Sequence, residues 1–225
     1  EPGIEMLYGE NPGAFIVRAN DLDFEVDLFD GQKTGLYLDQ LQSHAEVARL
    51  AAGKRVLDCF SNQGGFALAC AKAGAAKVTA VDVSASACEA ARKNSERNGL
   101  AIEVLEHNVF DFLKHAEPEY DLIILDPPSF TRNKKTLMDA MRGYKEIHLR
   151  SLKLLDKGGL LSTFCCSHHA SRELFLENLS EASVDAKKSL RLVREHGQRP
   201  DHPVLVTIPE TGYLKGFTAE VIASR

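Results

Sequence analysis

Val56-Leu57-Asp58-Cys59-Phe60-Ser61-Asn62-Gln63-Gly64-Gly65-Phe66 reads as a buried strand running into a glycine-bearing turn and then a helix. Such a turn at the carboxyl end of a first strand lets backbone come close to a ligand, at the place where doubly wound sheets bind nucleotides. Taken alone, the Gly64-Gly65 pair is equally well explained by helix–strand packing. A second feature shifts the balance. Ala80-Val81-Asp82 closes the next strand with an acid about twenty residues after the turn, where a carboxylate accepts hydrogen bonds from ribose hydroxyls. Asp82 could simply cap the helix that starts near Ser84, but the two features together favour an adenosine site.

Working outward, strand and helix alternate. Apolar runs at Val56 to Phe60, Val78 to Val83, Ile102 to Leu105, Leu122 to Leu125 and Leu160 to Phe164 are separated by helical stretches, notably Ser84 to Asn98 and Met138 to Leu155. Buried parallel strands joined by crossover helices give this rhythm. Two later runs, Leu190 to Val193 and Phe217 to Ile222, add strands, the last one expected to be antiparallel. Upstream, Phe15, Val17, Phe24, Val26 and Leu28 alternate around Asn20 and Asp21 as a hairpin, and Leu38 to Gly53 has helical periodicity. The expected fold is α/β and Rossmann-like: a mostly parallel seven-stranded sheet with helices on both faces, preceded by a small β-hairpin. Residues 1–37 form the hairpin extension and linker, and residues 38–225 the main domain.

The 225 residues are 44% hydrophobic and 26% charged, which suits one domain with a proper core. No apolar run approaches the length of a membrane span, and no signal-peptide pattern opens the chain, so a cytoplasmic location is expected. The chain begins Glu1-Pro2 without an initiator Met, as a segment of a longer protein would. The five cysteines, Cys59, Cys70, Cys88, Cys165 and Cys166, lack metal-ligand spacing and are odd in number, which suits a reducing compartment; no metal is expected. Net charge is −5 and pI about 5.9, unlike the basic body of an autonomous nucleic-acid binder. Nucleic-acid affinity would need local charge. Lys33, Arg132, Lys134, Lys135, Arg142 and Lys145 offer a phosphate-binding rim, with Tyr144 available to stack on a base.

The turn lacks the Gly-x-Gly-x-x-Gly fingerprint, so a pyrophosphate cradle is poorly supported and a dinucleotide is the weaker choice. After the strand Leu122 to Leu125 comes Asp126-Pro127-Pro128-Ser129-Phe130. The prolines remove backbone donors and stiffen the loop, aiming Asp126 into the cleft. Here the chain resembles class I S-adenosylmethionine-dependent methyltransferases: Asp58 to Gly65 match their first motif, Asp82 the second, Asn108 the third and Asp126-Pro127-Pro128 the fourth. It more closely resembles the large-subunit ribosomal-RNA cytosine-5 methyltransferases that carry an N-terminal PUA domain. That likeness runs through Gly31 to Gln40, Asp126 to Phe130, Arg142 to Lys145, Thr163 to Ser167 and Tyr213 to Phe217. The PUA domain is absent from the sequence, and Asn108 stands where many relatives have an acid facing adenine.

The resemblance implies S-adenosyl-L-methionine as cofactor, held by Asp58, Phe60, Ser61, Gly64, Gly65, Asp82, Val83, Ser84, Asn108, Val109, Asp126 and Pro127, with Lys33, Thr34 and Tyr37 at the entrance. Pro128, Ser129, Phe130, Arg142, Tyr144 and Lys145 would meet the substrate, an RNA and specifically large-subunit ribosomal RNA. Oligomeric state stays open, a homodimer included. C5 of cytosine is a poor nucleophile, so its methylation needs prior attack by a thiolate at C6. Cys165 and Cys166 follow a strand, and alternation sends them to opposite sides. Free cysteines are usually buried hydrophobes, the reading taken for Cys59, Cys70 and Cys88. The resemblance selects Cys166 as nucleophile and Asp126 as the residue holding the N3 and N4 edge of cytosine. His168 and His169 are read as solvated. Methylation at a guanine or adenine nitrogen without a cysteine, a noncatalytic RNA-binding module and a nicotinamide-dependent oxidoreductase are the alternatives.

Overall fold

Two-residue turns that need positive φ at both positions close tight hairpins, and Asn20 (φ 51°) and Asp21 (φ 57°) supply them. They join β1 (Phe15–Ala19) to β2 (Leu22–Val26). The computed structural model describes residues 6–29, 35–131 and 134–224, apart from the side chain of Lys134. The hairpin does not stand alone. Leu22, Phe24 and Val26 are buried against Leu36, Leu41, Ala48, Leu68 and Ala69. Asn98 and Asn94 tie it to a helix by accepting from Asp23 N and Glu25 N at 2.8 and 3.1 Å.

After a 3-10 turn at Leu38–Gln40 come α1 (Leu41–Ala48), β3 (Arg55–Cys59), α2 (Gly65–Lys72), β4 (Lys77–Asp82) and α3 (Ala85–Arg97). These are followed by β5 (Glu103–Glu106), α4 (Val109–His115), β6 (Tyr120–Leu125), α5 (Leu137–Lys153) and β7 (Leu155–Cys165). The described chain closes with α6 (Arg172–Asp185), β8 (Lys188–Gly197) and β9 (Lys215–Ser224). The sheet order is β5-β4-β3-β6-β7-β9-β8. Strands β3 to β7 are parallel, and β9 runs antiparallel to both β7 and β8, as expected. Chain direction across the sheet reverses beside β3, opening a crevice at the carboxyl ends of β3, β4, β6 and β7.

β6 shows why the sheet is covered on both sides. Leu122 and Ile124 pack toward α1 and α2, while Ile123 and Leu125 pack toward α4, α5 and α6. Strand alternation thus turns one apolar run into two cores. β7 and β8 extend beyond the expected runs. β8 is an edge strand whose Arg191, Arg194 and Glu195 are exposed, so charge breaks up its apolar signal.

Candidate cofactor and substrate site

The β3–α2 turn is held in an unusual backbone path. Phe60 (φ 62°), Asn62 (φ 47°) and Gly64 (φ 88°) are all left-handed, and Phe60 N and Ser61 N donate to Val81 O at 2.9 and 3.2 Å. The two glycines have different reasons. Gly64 provides the left-handed start of α2. At Gly65 a Cβ would lie 2.5 Å from the ring of His44, so close packing of α1 on α2 accounts for that glycine without any ligand.

Three strand ends bring three carboxylates together. Asp58 on β3 is fully buried; its Oδ2 accepts from Ala67 N at 2.9 Å, and its Oδ1 has no partner among the described residues. Burial raises its carboxyl well above the usual range, the Ala67 N–H pulls it back, and the charges of Asp126 and Asp82 push it up again. Asp82 on β4 accepts from Asn62 N at 2.8 Å and Ser84 N at 2.9 Å, bracing the glycine turn. Capping of α3 falls to Ser84, whose Oγ accepts from Ala87 N. Val83 beside it is 66% exposed. Asn108 caps α4, accepting from Phe110 N and Asp111 N, with Val109 buried behind it.

Asp126 follows β6 and accepts from Gln40 Nε2 at 3.0 Å. Tyr37 stands between the groups: burial raises its phenol first, followed by the charges of Asp126, Cys166, Asp39 and Asp82. Tyr213 donates to Asp39 Oδ2 at 2.7 Å, and its phenol is raised by burial, by that bond and by Asp39 and Cys166. The segment Tyr37–Gln40 and Tyr213 therefore lie near Asp126 and Cys166. Gln40, Asp39, Tyr213, Lys215 and His44 had no assigned role from sequence. The first four lie in stretches that match the family, yet only folding shows what they face.

Pro127 is buried, while Pro128 and Ser129 are exposed; Ser129 Oγ donates to Thr131 O at 2.7 Å. Phe130 anchors the loop, with its ring 4.7 Å from Tyr144 and 5.9 Å from Phe110. Two expectations need correction. Tyr144 is fully buried, packed on Phe130 and Phe175, so its ring is a core residue and is not available to a base. Lys145 points toward α6 and pairs with Glu181 and Asp185 at 3.1 and 3.0 Å; its charge is matched there and does not join a phosphate rim. Arg142 is exposed but pairs with Asp139 on its own helix. Lys33, Thr34, Arg132 and the side chain of Lys134 lie outside the described residues. Of the five free cysteines, Cys59, Cys70, Cys88 and Cys165 are buried, whereas Cys166 is partly exposed.

The fit to a cofactor can be judged from this donor set. Asp58 Oδ1, Ser61 Oγ and Gln40 Oε1 are buried atoms that can accept, with no partner among the described residues, and buried polar atoms call for one. Asp82 and Asp126 beside them suit a ligand bearing positive charge and hydroxyls, such as the ammonium, sulfonium and ribose of S-adenosylmethionine. The same charge opposes the pyrophosphate of a dinucleotide. Among the described residues, no group of three or more His, Cys, Asp or Glu side chains is arranged to hold a metal ion, and no helix is long and apolar enough to cross a membrane.

Fold and site together define a doubly wound α/β domain with a nucleotide-type crevice. Residues 1–214 match the model of the S-adenosylmethionine-dependent methyltransferases, and the chain belongs to that family. It is 41% identical over 223 residues to ribosomal RNA large subunit methyltransferase I of Klebsiella pneumoniae (strain 342), covering 96% of this chain and 56% of that protein. The protein of the same name from Shewanella denitrificans is 43% identical over 223 residues, with the same coverage. The solved structure of SMU.776, described as a methyltransferase complexed with SAH, superposes with a TM-score of 0.84 at 31% identity, over 96% of this chain and 58% of that one. The chain thus spans little more than half the length of these relatives.

Proposed function

We propose that this chain is the catalytic part of a ribosomal-RNA methyltransferase that forms 5-methylcytosine in the large-subunit RNA, using Cys166 as nucleophile. The observation that carries the reading is that Cys166, the one partly exposed cysteine, lies near enough to Tyr37 to raise its phenol, as Asp126 does. The names of the relatives support the substrate class. Residues 1–37 act as an extension to the domain at 38–225, and the location is cytoplasmic, where ribosomal RNA is met.

The chemistry assigns each group a task. Cys166 Sγ bonds to C6 of cytosine, and the electron pair of the C5–C6 bond makes C5 nucleophilic. Asp126, oriented by Gln40, holds the N3 and N4 edge and supports protonation at N3. When bound, S-adenosylmethionine supplies the methyl group that C5 takes up. Loss of the C5 proton to solvent, cleavage of the S–C6 bond and release of the N3 proton then give the product and the thiolate. Asp58, Ser61 and Asp82 hold the cofactor, with Phe60, Gly64, Gly65, Val83, Ser84, Asn108, Val109, Pro127, Lys33, Thr34 and Tyr37 around it. Pro128, Ser129 and Phe130 shape the substrate side.

Cys166→Ser should abolish methylation while leaving binding of S-adenosylmethionine intact, and Cys165→Ser should keep most activity. RNA containing 5-fluorocytosine should be trapped as a denaturant-resistant adduct, because fluorine at C5 blocks the elimination. Normal methylation by the Cys166 variant, with no adduct, would move the assignment to a base nitrogen.

A further inference from the structure

We propose that Lys215 supplies the positive charge that holds Cys166 as a thiolate; the inference rests on the reading of Cys166 as nucleophile. Lys215 opens β9 and pairs across the sheet with Cys165, which brings its side chain beside the end of β7. The residue is only 9% exposed. Its Nζ donates to the carbonyl of Ser167, the residue that follows Cys166. This ammonium is thus hydrogen-bonded to the backbone of the segment that presents the thiol.

Its charge is not matched by the protein. Among the described residues no carboxylate pairs with Lys215, although most of the other ion pairs on this chain lie at the surface, where they contribute little. A buried ammonium without an anion is costly. Burial pushes its titration down from the usual lysine value, and negative charge at Cys165 and at Cys166 is what pulls it back up. Cys165 is itself buried, beside the hydroxyl of Tyr144, whereas Cys166 is the partly exposed thiol of the pair. The other groups that sense Cys166 are Tyr37, Tyr144 and Tyr213, neutral phenols, each raised in its titration. Asp126, Asp39 and Asp82 around Tyr37 are negative and oppose a thiolate, and His168 and His169 follow in the loop. A nearby cation is therefore needed to offset the carboxylates. On ionisation the thiol proton passes to solvent, the electron pair stays on sulfur, and Lys215 keeps its three protons.

The role is one of positioning charge, so the readout is thiol reactivity. Carboxamidomethylation of Cys166 by iodoacetamide, quantified by peptide mass spectrometry across pH, should in the wild type have its midpoint below that of a free cysteine, about pH 8.5. Lys215→Gln, which retains a donor for the Ser167 carbonyl but no charge, should slow the reaction near neutral pH about tenfold or more and move the midpoint upward. Lys215→Arg should restore both. A wild-type midpoint at or above the free-cysteine value overturns the proposal whether or not any variant folds, as does a folded Lys215→Gln protein with the wild-type profile. Methylation by Cys166→Ser is scored separately. A Lys215-dependent reactive Cys166 in an enzyme that methylates without it removes the nucleophile assignment and leaves the charge pairing; an unreactive Cys166 in an enzyme that needs it does the reverse.

Discussion

Replacing His148 with Gln should change how stability depends on pH more than it changes stability at neutral pH. His148 on α5 has no exposed surface. Its ring meets Thr163 Oγ1 at 2.8 Å and Asn178 Oδ1 at 3.0 Å, and Asn178 in turn donates to Met141 O at 2.7 Å. Burial lowers its titration from 6.5 to about 4, with the Asn178 bond acting slightly the other way. The folded value lies below the unfolded one, so the unfolded chain takes up the proton first as pH falls. The stability associated with neutral His148 is complete above about pH 6.5, drains between there and about pH 4, and does not change further below. The separation of the two values corresponds to about 3 kcal/mol. At pH 7.5 or so, His148→Gln should cost about 1–3 kcal/mol for its disturbed buried bonds; by about pH 4.5 the wild type should have lost about 3 kcal/mol that the variant does not lose.

The stability gap should therefore close or invert on acidification. Urea unfolding of both proteins over this range, followed by circular dichroism, measures it. Comparison with the variant is needed because other groups titrate too. His44 also falls to about 4 through burial, Asp58 is raised and so favours folding as pH drops, and Asp121, lowered to about 2 by Arg55, loses its stabilising contribution only in stronger acid. These are common to both proteins and cancel. A gap that stays constant between about pH 7.5 and pH 4.5 would refute the assignment of His148 as a buried neutral imidazole.

Asp82→Ala should weaken binding of S-adenosylhomocysteine by about 1.5–3 kcal/mol in calorimetry, with unchanged affinity contradicting its place at the ribose. Gly65→Ala should destabilise the fold by about 1–3 kcal/mol, because the new methyl meets the ring of His44. Adding His44→Ala should recover part of that loss in thermal melts, and an additive double variant would refute the clash. Because the chain carries a net charge of −5, its RNA affinity should be weak and fall steeply with salt, and joint charge reversal of Arg132 and Lys134 should lower it further. Filter binding across a salt series that shows tight, salt-insensitive association would contradict this.

What local sequence encodes well in this chain is continuous and periodic. The β6 run Leu122 to Leu125, the acid ending β4 and the left-handed glycine turn each depend on neighbours in the chain, so the parallel sheet and its nucleotide-type crevice were legible before folding. So was the Asn20-Asp21 hairpin, because a two-residue turn is a local conformational choice. Edge strand β8 was legible only in part, since its charged exposed residues carry no apolar signal. Long-range neighbours were still less visible. Gln40 meets Asp126 across 86 positions of sequence, Tyr213 meets Asp39 across 174, and Lys215 reaches the Ser167 carbonyl across 48; no spacing rule joins such pairs. The same limit explains Tyr144 and Lys145. An aromatic and a lysine beside a cleft loop look like binding groups, but the rotation of α5 on the sheet decides which face is buried, and that rotation is set by packing. Sequence by itself determined an adenosine-type site at the strand ends, and its resemblance to a family supplied the cofactor and the candidate reactive residues. Tertiary structure decided which of those residues share one crevice, because contact across distant segments exists only once the sheet and its helices have closed together.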